Sequence, residues 1–105
     1  MNYQLCGKTH GRPRSETVAE FAVAEDELLC KKGFVATVYN PVSRRRPPEP
    51  DADAAKADIR RLVTESESLL VLLPGWETDE TACLTVAVAG ACGIDAVPFD
   101  EAMVR

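Results

Sequence analysis

Trp76, Glu77, Asp79 and Glu80 stand directly behind the aliphatic run Leu69-Leu70-Val71-Leu72-Leu73 and its Pro74-Gly75 stop. Carboxylates at a water-excluded strand end can serve as nucleophile or as general acid and base. Burial and like-charge crowding raise one pKa there while another group stays ionised. Asp79 and Glu80 have a second available use, capping a helix and filling its first turn, where negative charge suits the dipole. Glu77 has no capping use and is the better candidate for chemistry. Trp76 offers a flat face to a base or sugar, and packing over the sheet end is the competing use.

A second constellation lies near the amino end, in Gly7-Lys8-Thr9-His10-Gly11-Arg12-Pro13-Arg14. Glycines let backbone approach a ligand closely, and cations beside a helix start favour an anion such as a nucleotide phosphate. A solvated basic loop is the plainer alternative. Neither nucleotide fingerprint is present: a phosphate loop ending in Gly7-Lys8-Thr9 needs a glycine where Asn2 stands, and G-x-G-x-x-G is absent. Asp58 sits at the edge of a helical apolar stripe, either as a solvated acid or as a site residue. His10 is the single histidine, and the spacing reveals no Ser/His or Cys/His pair around it.

Positioning these groups requires a sheet. The Leu69–Leu73 run is too short to span a membrane and reads as a strand buried on both faces. Tyr3–Cys6, Phe34–Tyr39 and Ala96–Phe99 are the other strand candidates, the second stopped by Asn40-Pro41. The first helix carries Val18, Phe21, Ala22, Leu28 and Leu29 on one face, with Thr17 and Glu20 at capping-box spacing. Lys31-Lys32-Gly33 closes it. Asp51 or Asp53 caps a second helix with the stripe Ala55, Ile59, Leu62 and Val63. The third, roughly Asp79 to Cys92, is apolar on nearly every side and is expected to be heavily buried or to form a subunit interface. Val42–Pro50 reads as an exposed loop, and Arg44–Arg46 within it as a solvated charge run or a lid over phosphate. Arg60 and Arg61 keep their heads in water.

The order β-α-β-α-β-α-β with helical crossovers requires a parallel sheet with helices on both faces. The expectation is therefore an α/β, Rossmann-like or flavodoxin-like three-layer sandwich, a four-stranded parallel sheet in the order 2-1-3-4. Its switch point lies between the first and third strands, where ligands bind in such folds. The Gly7–Arg14 loop and the Pro74–Glu80 turn then lie side by side.

The 105 residues bound the chain to one domain spanning 1–105, 46% hydrophobic and 28% charged. A net charge of −5 argues against nucleic-acid binding, which needs cationic surface to displace phosphate counterions. No apolar stretch is long enough for a membrane span, and no basic region followed by an apolar one opens the chain, so a cytoplasmic location is expected. Cys6, Cys30, Cys83 and Cys92 form no C-x-x-C pair, so neither metal nor cofactor is expected. Two of these thiols lie in apolar segments and are expected to be buried, reduced and inert.

In order and spacing these segments resemble the nucleoside 2-deoxyribosyltransferase-like superfamily, closest to the small branch known as DUF4406, common in phages and bacteria. The resemblance covers most of the chain. It is carried by Tyr3-Gln-Leu-Cys-Gly7, Gly33-Phe34-Val35, Asn40-Pro41, Asp58-Ile-Arg-Arg-Leu62 and, most specifically, Leu72-Leu-Pro-Gly-Trp-Glu77 ahead of an alanine-rich helix. Such a resemblance implies a Rossmann-like fold assembled as dimers or larger homo-oligomers. It also implies chemistry on the N-glycosidic bond of a deoxynucleoside or deoxynucleotide. A helix glutamate is the nucleophile in that family, an aspartate matching Asp58 serves the base, and a tyrosine matching Tyr3 orients the nucleophile. The nucleophile's position falls at Thr85 here, and a neutral hydroxyl without a paired base does not readily form a glycosyl ester.

Three readings follow. The first is an N-glycosidic-bond enzyme in which Glu77 or Glu80 replaces the missing carboxylate, with Asp58 and Tyr3 in support. Gly7, Lys8, His10, Arg12, Asn40, Gly75, Trp76, Asp79 and Thr85 would then contact substrate. The second is a non-catalytic module that binds or sequesters a nucleotide. The third is a dimerising structural protein.

Overall fold

β1 (Asn2–Cys6) turns Tyr3 and Leu5 to one side of the sheet and Gln4 and Cys6 toward the other in the computed structural model. The model describes residues 2–33, 35–42, 51–64 and 68–105, the side chains of residues 51 and 52 excepted. β3 (Ser68–Leu72) runs parallel beside β1, pairing Asn2 with Ser68 through to Cys6 with Leu72. β2 (Thr37–Tyr39) flanks β1 on its other edge, and β4 (Ala96–Pro98) flanks β3. All pairings are parallel and the order is β2-β1-β3-β4, as the crossover argument requires.

Helices cover both faces. α1 (Arg14–Lys32) and α4 (Phe99–Val104) bring Phe21, Leu28 and Ala102 onto Tyr3, Leu5, Leu69 and Val71. α2 (Asp51–Thr64) and α3 (Glu80–Ala91) bring Leu62, Ala82 and Ala89 onto Cys6, Leu70 and Leu72. Phe21, Leu28, Leu62 and Leu70 are fully buried, each stabilising the fold by roughly 1.5–3 kcal/mol relative to exposure. The result is a Rossmann-like, flavodoxin-like sandwich.

Several element ends differ from expectation. α1 starts at Arg14 behind Pro13, so Thr17 and Glu20 are not a capping box: the Thr17 hydroxyl donates back to the Pro13 carbonyl and Glu20 pairs with Arg12. Pro13 is the N-cap, its fixed φ of −57° leading into the helix about one turn ahead of the polar signal at Thr17. β2 is only Thr37–Tyr39, because a turn from Gly33 (φ +80°) to Ala36 comes first and leaves Val35 exposed; Phe34 lies outside the described residues. Asp53 lies inside α2 and does not cap it, and the side chain of Asp51 is outside the described set. The run Arg44–Arg46 is outside it too. β4 ends at Pro98, and Phe99 opens α4, a helix the sequence reading missed.

α3 is less buried than its composition implies. Ala82, Thr85 and Ala89 face the sheet, while Cys83, Leu84 and Ala87 are exposed. Among the described residues, one side of α3 meets the sheet and α2. Two buried thiols were expected, but of the four cysteines Cys6 alone is buried, and Cys30, Cys83 and Cys92 are exposed.

Candidate functional site

The carboxyl end of β1 opens onto a cavity of about 200 Å³. Its walls come from β1 and the loop after it, the start of α1, Pro41 and Val42 after β2, one side of α2, and Asp79 with the inner side of α3. That is the crevice expected at the switch point of an open parallel sheet.

Asp79 organises one wall. It is the N-cap of α3, its Oδ2 accepting from the Ala82 N–H at 3.0 Å. Its Oδ1 reaches across to the loop after β1, accepting from the backbone N–H groups of Thr9 (3.2 Å) and His10 (3.1 Å). The His10 ring adds Nδ1 at 2.8 Å. The expected neighbours, loop and turn, are thus joined by one carboxylate. Burial opposes ionisation of Asp79, but the His10 ring and the N–H groups of Ala82, His10 and Thr9 outweigh it and hold the carboxyl below its ordinary value. An ionised carboxylate only accepts, so His10 Nδ1 carries the proton in this pair.

The loop therefore satisfies an internal anion. Two of the amides that might have cradled a phosphate belong to Asp79. Arg12 is similarly committed: its guanidinium donates twice to Glu20 (3.1 and 2.9 Å) and twice to the Lys8 carbonyl (3.1 and 2.6 Å). The hydrogen bond to Glu20 raises its pKa further. Arg14 also lines the cavity and is exposed, with no hydrogen bond or ion pair among the described residues. It is the cation best placed to meet a ligand.

Asp58 marks the α2 wall. It accepts from the Tyr39 hydroxyl at 2.8 Å, while Arg61, one turn on, lies over the same tyrosine ring at 5.1 Å from its centroid. Gln4, buried in β1, donates to the Asp58 backbone carbonyl at 2.9 Å and ties α2 to the sheet. The Asp58 carboxylate is thus oriented from β2 and its backbone from β1.

Of the residues picked from the sequence, Gly7, His10, Arg12, Asp58, Asp79 and Thr85 line this cavity. Gly7 also backs onto the core, where a Cβ would stand 3.0 Å from both Leu73 and Phe21. Thr85 is buried, its hydroxyl donating to the Thr81 carbonyl at 2.9 Å within α3. Others are elsewhere. Tyr3 belongs to the core cluster beneath α1, on the sheet face away from Gln4. Asn40 forms a turn, its side chain accepting from Val42 N–H and donating to Glu25. Glu77 and Glu80 are exposed and outside the lining, and Trp76 packs on the α2–α3 side. Lys8 and Gly75 are outside the lining and close to each other; a Cβ on Gly75 (φ +89°) would stand 3.7 Å from Lys8 Cβ.

Gln4, Cys6, Thr9, Thr17, Tyr39 and Thr81 were missed; all but Tyr39 line the cavity. A glutamine inside an apolar strand was a readable signal for the first. Cys6 is pushed up to about 12 by burial, then by Asp79 and Asp58, so it stays a thiol at neutral pH. Among the described residues no cluster of His, Cys, Asp or Glu suits a metal ion, and no helix is long and apolar enough to cross a membrane. Compared with known proteins, the chain matches no family model, no curated protein and no solved structure.

Proposed function

We propose that this cavity binds a nucleoside or nucleotide and that the protein acts on its N-glycosidic bond, in the manner of a nucleoside 2-deoxyribosyltransferase-like protein. The observation carrying this reading is the convergence of two carboxylates, Asp58 and Asp79, with His10 and Arg14 in one crevice. A volume of about 200 Å³ is below the roughly 300–1,000 Å³ of drug-sized pockets. It suits a single sugar or base with the remainder of the ligand at the mouth. Asp58, fixed by Tyr39, serves the base, and Arg14 at the start of α1 meets a phosphate.

A second reading, binding without turnover, is favoured by one feature. Thr85 stands where the resemblance places the nucleophile, and its hydroxyl proton is held by the Thr81 carbonyl. Homo-oligomer assembly belongs to the proposal as well. α3 carries no charged residue after Glu80, and its Leu84 is 52% exposed, a patch suited to a second copy. Sedimentation of the wild type against Leu84→Glu tests that part; a monomer in both contradicts it.

A thermal-shift series with 2′-deoxynucleosides and their 5′-monophosphates tests ligand binding. A ligand at about 100 times its Kd stabilises by roughly 2.7 kcal/mol. Free base appearing by chromatography identifies an enzyme, and a shift without base identifies a binder. No shift with any of them contradicts the proposal.

A further inference from the structure

We infer that Gln4 sets the specificity of this cavity, taking the exocyclic amino group of an adenine- or cytosine-type base at its buried end. The inference rests on the nucleoside or nucleotide reading above and names which bases that reading admits. Gln4 lines the cavity from β1 yet is only 4% exposed. One N–H of its Nε2 donates to the Asp58 backbone carbonyl at 2.9 Å, which fixes the orientation of the amide. The reverse orientation would set two carbonyl oxygens against each other. Gln4 Oε1 has no hydrogen-bond donor among the described residues, and no fully enclosed side-chain oxygen or nitrogen among them lacks a partner. Oε1 therefore meets open space, and the open space beside Gln4 is the cavity.

The other deeply buried polar groups of the wall are acceptors too. Thr85 is buried and spends its hydroxyl proton on the Thr81 carbonyl. Thr17 is buried and donates to the Pro13 carbonyl at 3.4 Å. The Cys6 thiol donates to the Ala82 carbonyl, and Asp79 accepts on both oxygens. What these side chains still offer a ligand is lone pairs, against a single donor, the second N–H of Gln4. The cation stands farther out: Arg14 is exposed at the start of α1. A 5′-nucleotide carries its phosphate and its base at opposite ends of the sugar, so with phosphate on Arg14 the base is the end that goes in. The amino group of adenine or cytosine brings two N–H donors to the buried lone pairs. A keto oxygen in the same place sets lone pairs against lone pairs, and its neighbouring ring N–H supplies one donor where the amine supplies two.

Titration calorimetry of the full chain with two ligand pairs tests this: the 5′-monophosphates of deoxyadenosine and deoxyinosine, and those of deoxycytidine and deoxyuridine. Within each pair an oxygen replaces the amino group and the adjacent ring nitrogen gains a proton. The amino member is expected to bind about tenfold more tightly in each pair. Gln4→Met keeps the length of the side chain and removes both hydrogen-bonding atoms, so the preference within each pair should vanish. A purely structural loss would weaken both members equally and leave the ratio as it was. Should Gln4→Met fold poorly, NMR of the wild type gives the same answer: the side-chain amide signals of Gln4 should move further with each amino ligand than with its keto partner. Equal or reversed affinities in the wild-type pairs overturn the inference and leave the nucleotide reading standing. So does a ratio unchanged in Gln4→Met, or Gln4 signals that stay still with ligand bound. No binding by any of the four ligands overturns the inference together with the reading beneath it.

Discussion

His10 Nδ1 and Asp79 Oδ1 lie 2.8 Å apart although 69 residues separate them in the chain. The contact joins the loop leaving β1 to the start of α3, and the Thr9 and His10 amides reinforce it. One carboxylate thereby caps a helix, shapes a loop and orients an imidazole.

Asp79→Ala should destabilise the protein by about 1–3 kcal/mol, since loss of an N-cap costs ~0.5–2 kcal/mol and orphaned loop donors add to it. Urea unfolding of wild type, Asp79→Ala and Asp79→Asn measures this, with asparagine the milder change. Equal midpoints for wild type and Asp79→Ala would show that the cap and loop contacts carry no stability.

The acid limb of stability follows from the same group. The folded carboxyl of Asp79 lies below its ordinary value. Its contribution is therefore complete above the unfolded value of about 3.9 and is lost as pH falls through the lower, folded one. Asp79→Asn should flatten stability below about pH 4 relative to wild type. Parallel curves for the two proteins in that range would contradict the assignment.

Cys6 acts at the opposite end of the scale. Its folded pKa of about 12 exceeds the ordinary 9.0, so its contribution is intact below 9 and disappears as pH rises from 9 towards 12. Under native conditions at pH 8, a thiol reagent should modify Cys30, Cys83 and Cys92 quickly, while Cys6 waits for unfolding. Four equally fast thiols would contradict its burial.

Gly7→Ala should cost about 1–3 kcal/mol by overpacking, because its new methyl meets Phe21 and Leu73. Gly75→Ala should cost about 1–2 kcal/mol through its positive φ. With roughly 4–8 °C in Tm per kcal/mol for a small domain, both are measurable by calorimetry. A Gly7→Ala protein as stable as wild type would mean β1 and α1 separate there easily.

Tyr39→Phe removes the donor that holds Asp58. The expected stability cost is about 0.5–1.5 kcal/mol, with weaker ligand binding as the Asp58 carboxylate loses its orientation. Unchanged affinity would detach Asp58 from recognition.

The parallel sheet, its order and the meeting of loop and turn were legible because hydrophobic runs, prolines and crossover handedness constrain them strongly. The Asp79 cap was legible for a local reason: its Ala82 partner is three residues away. Its other partners were not, because nothing in the spacing of Thr9 and His10 announces an acceptor some seventy residues on. Arg12 read as a ligand cation, yet the folded loop turns its guanidinium onto Lys8 and Glu20. Tyr3 and Tyr39 show the same limit. Strand alternation sends Tyr3 into the core, and only the pairing of β2 with β1 brings Tyr39 to Asp58. The third helix, without charge after Glu80, read as heavily buried or as a subunit interface; within one copy only Ala82, Thr85 and Ala89 of it are buried, because a chain this size has too few elements to cover all its sides.

The most direct measurement is a backbone NMR titration of the full chain with 2′-deoxynucleoside 5′-monophosphates. Shifts are expected to concentrate at Thr9, His10, Arg14, Asp58 and Thr85 around the cavity. No shift at millimolar ligand, or shifts gathered on α4 and the outer face of α1, would contradict it.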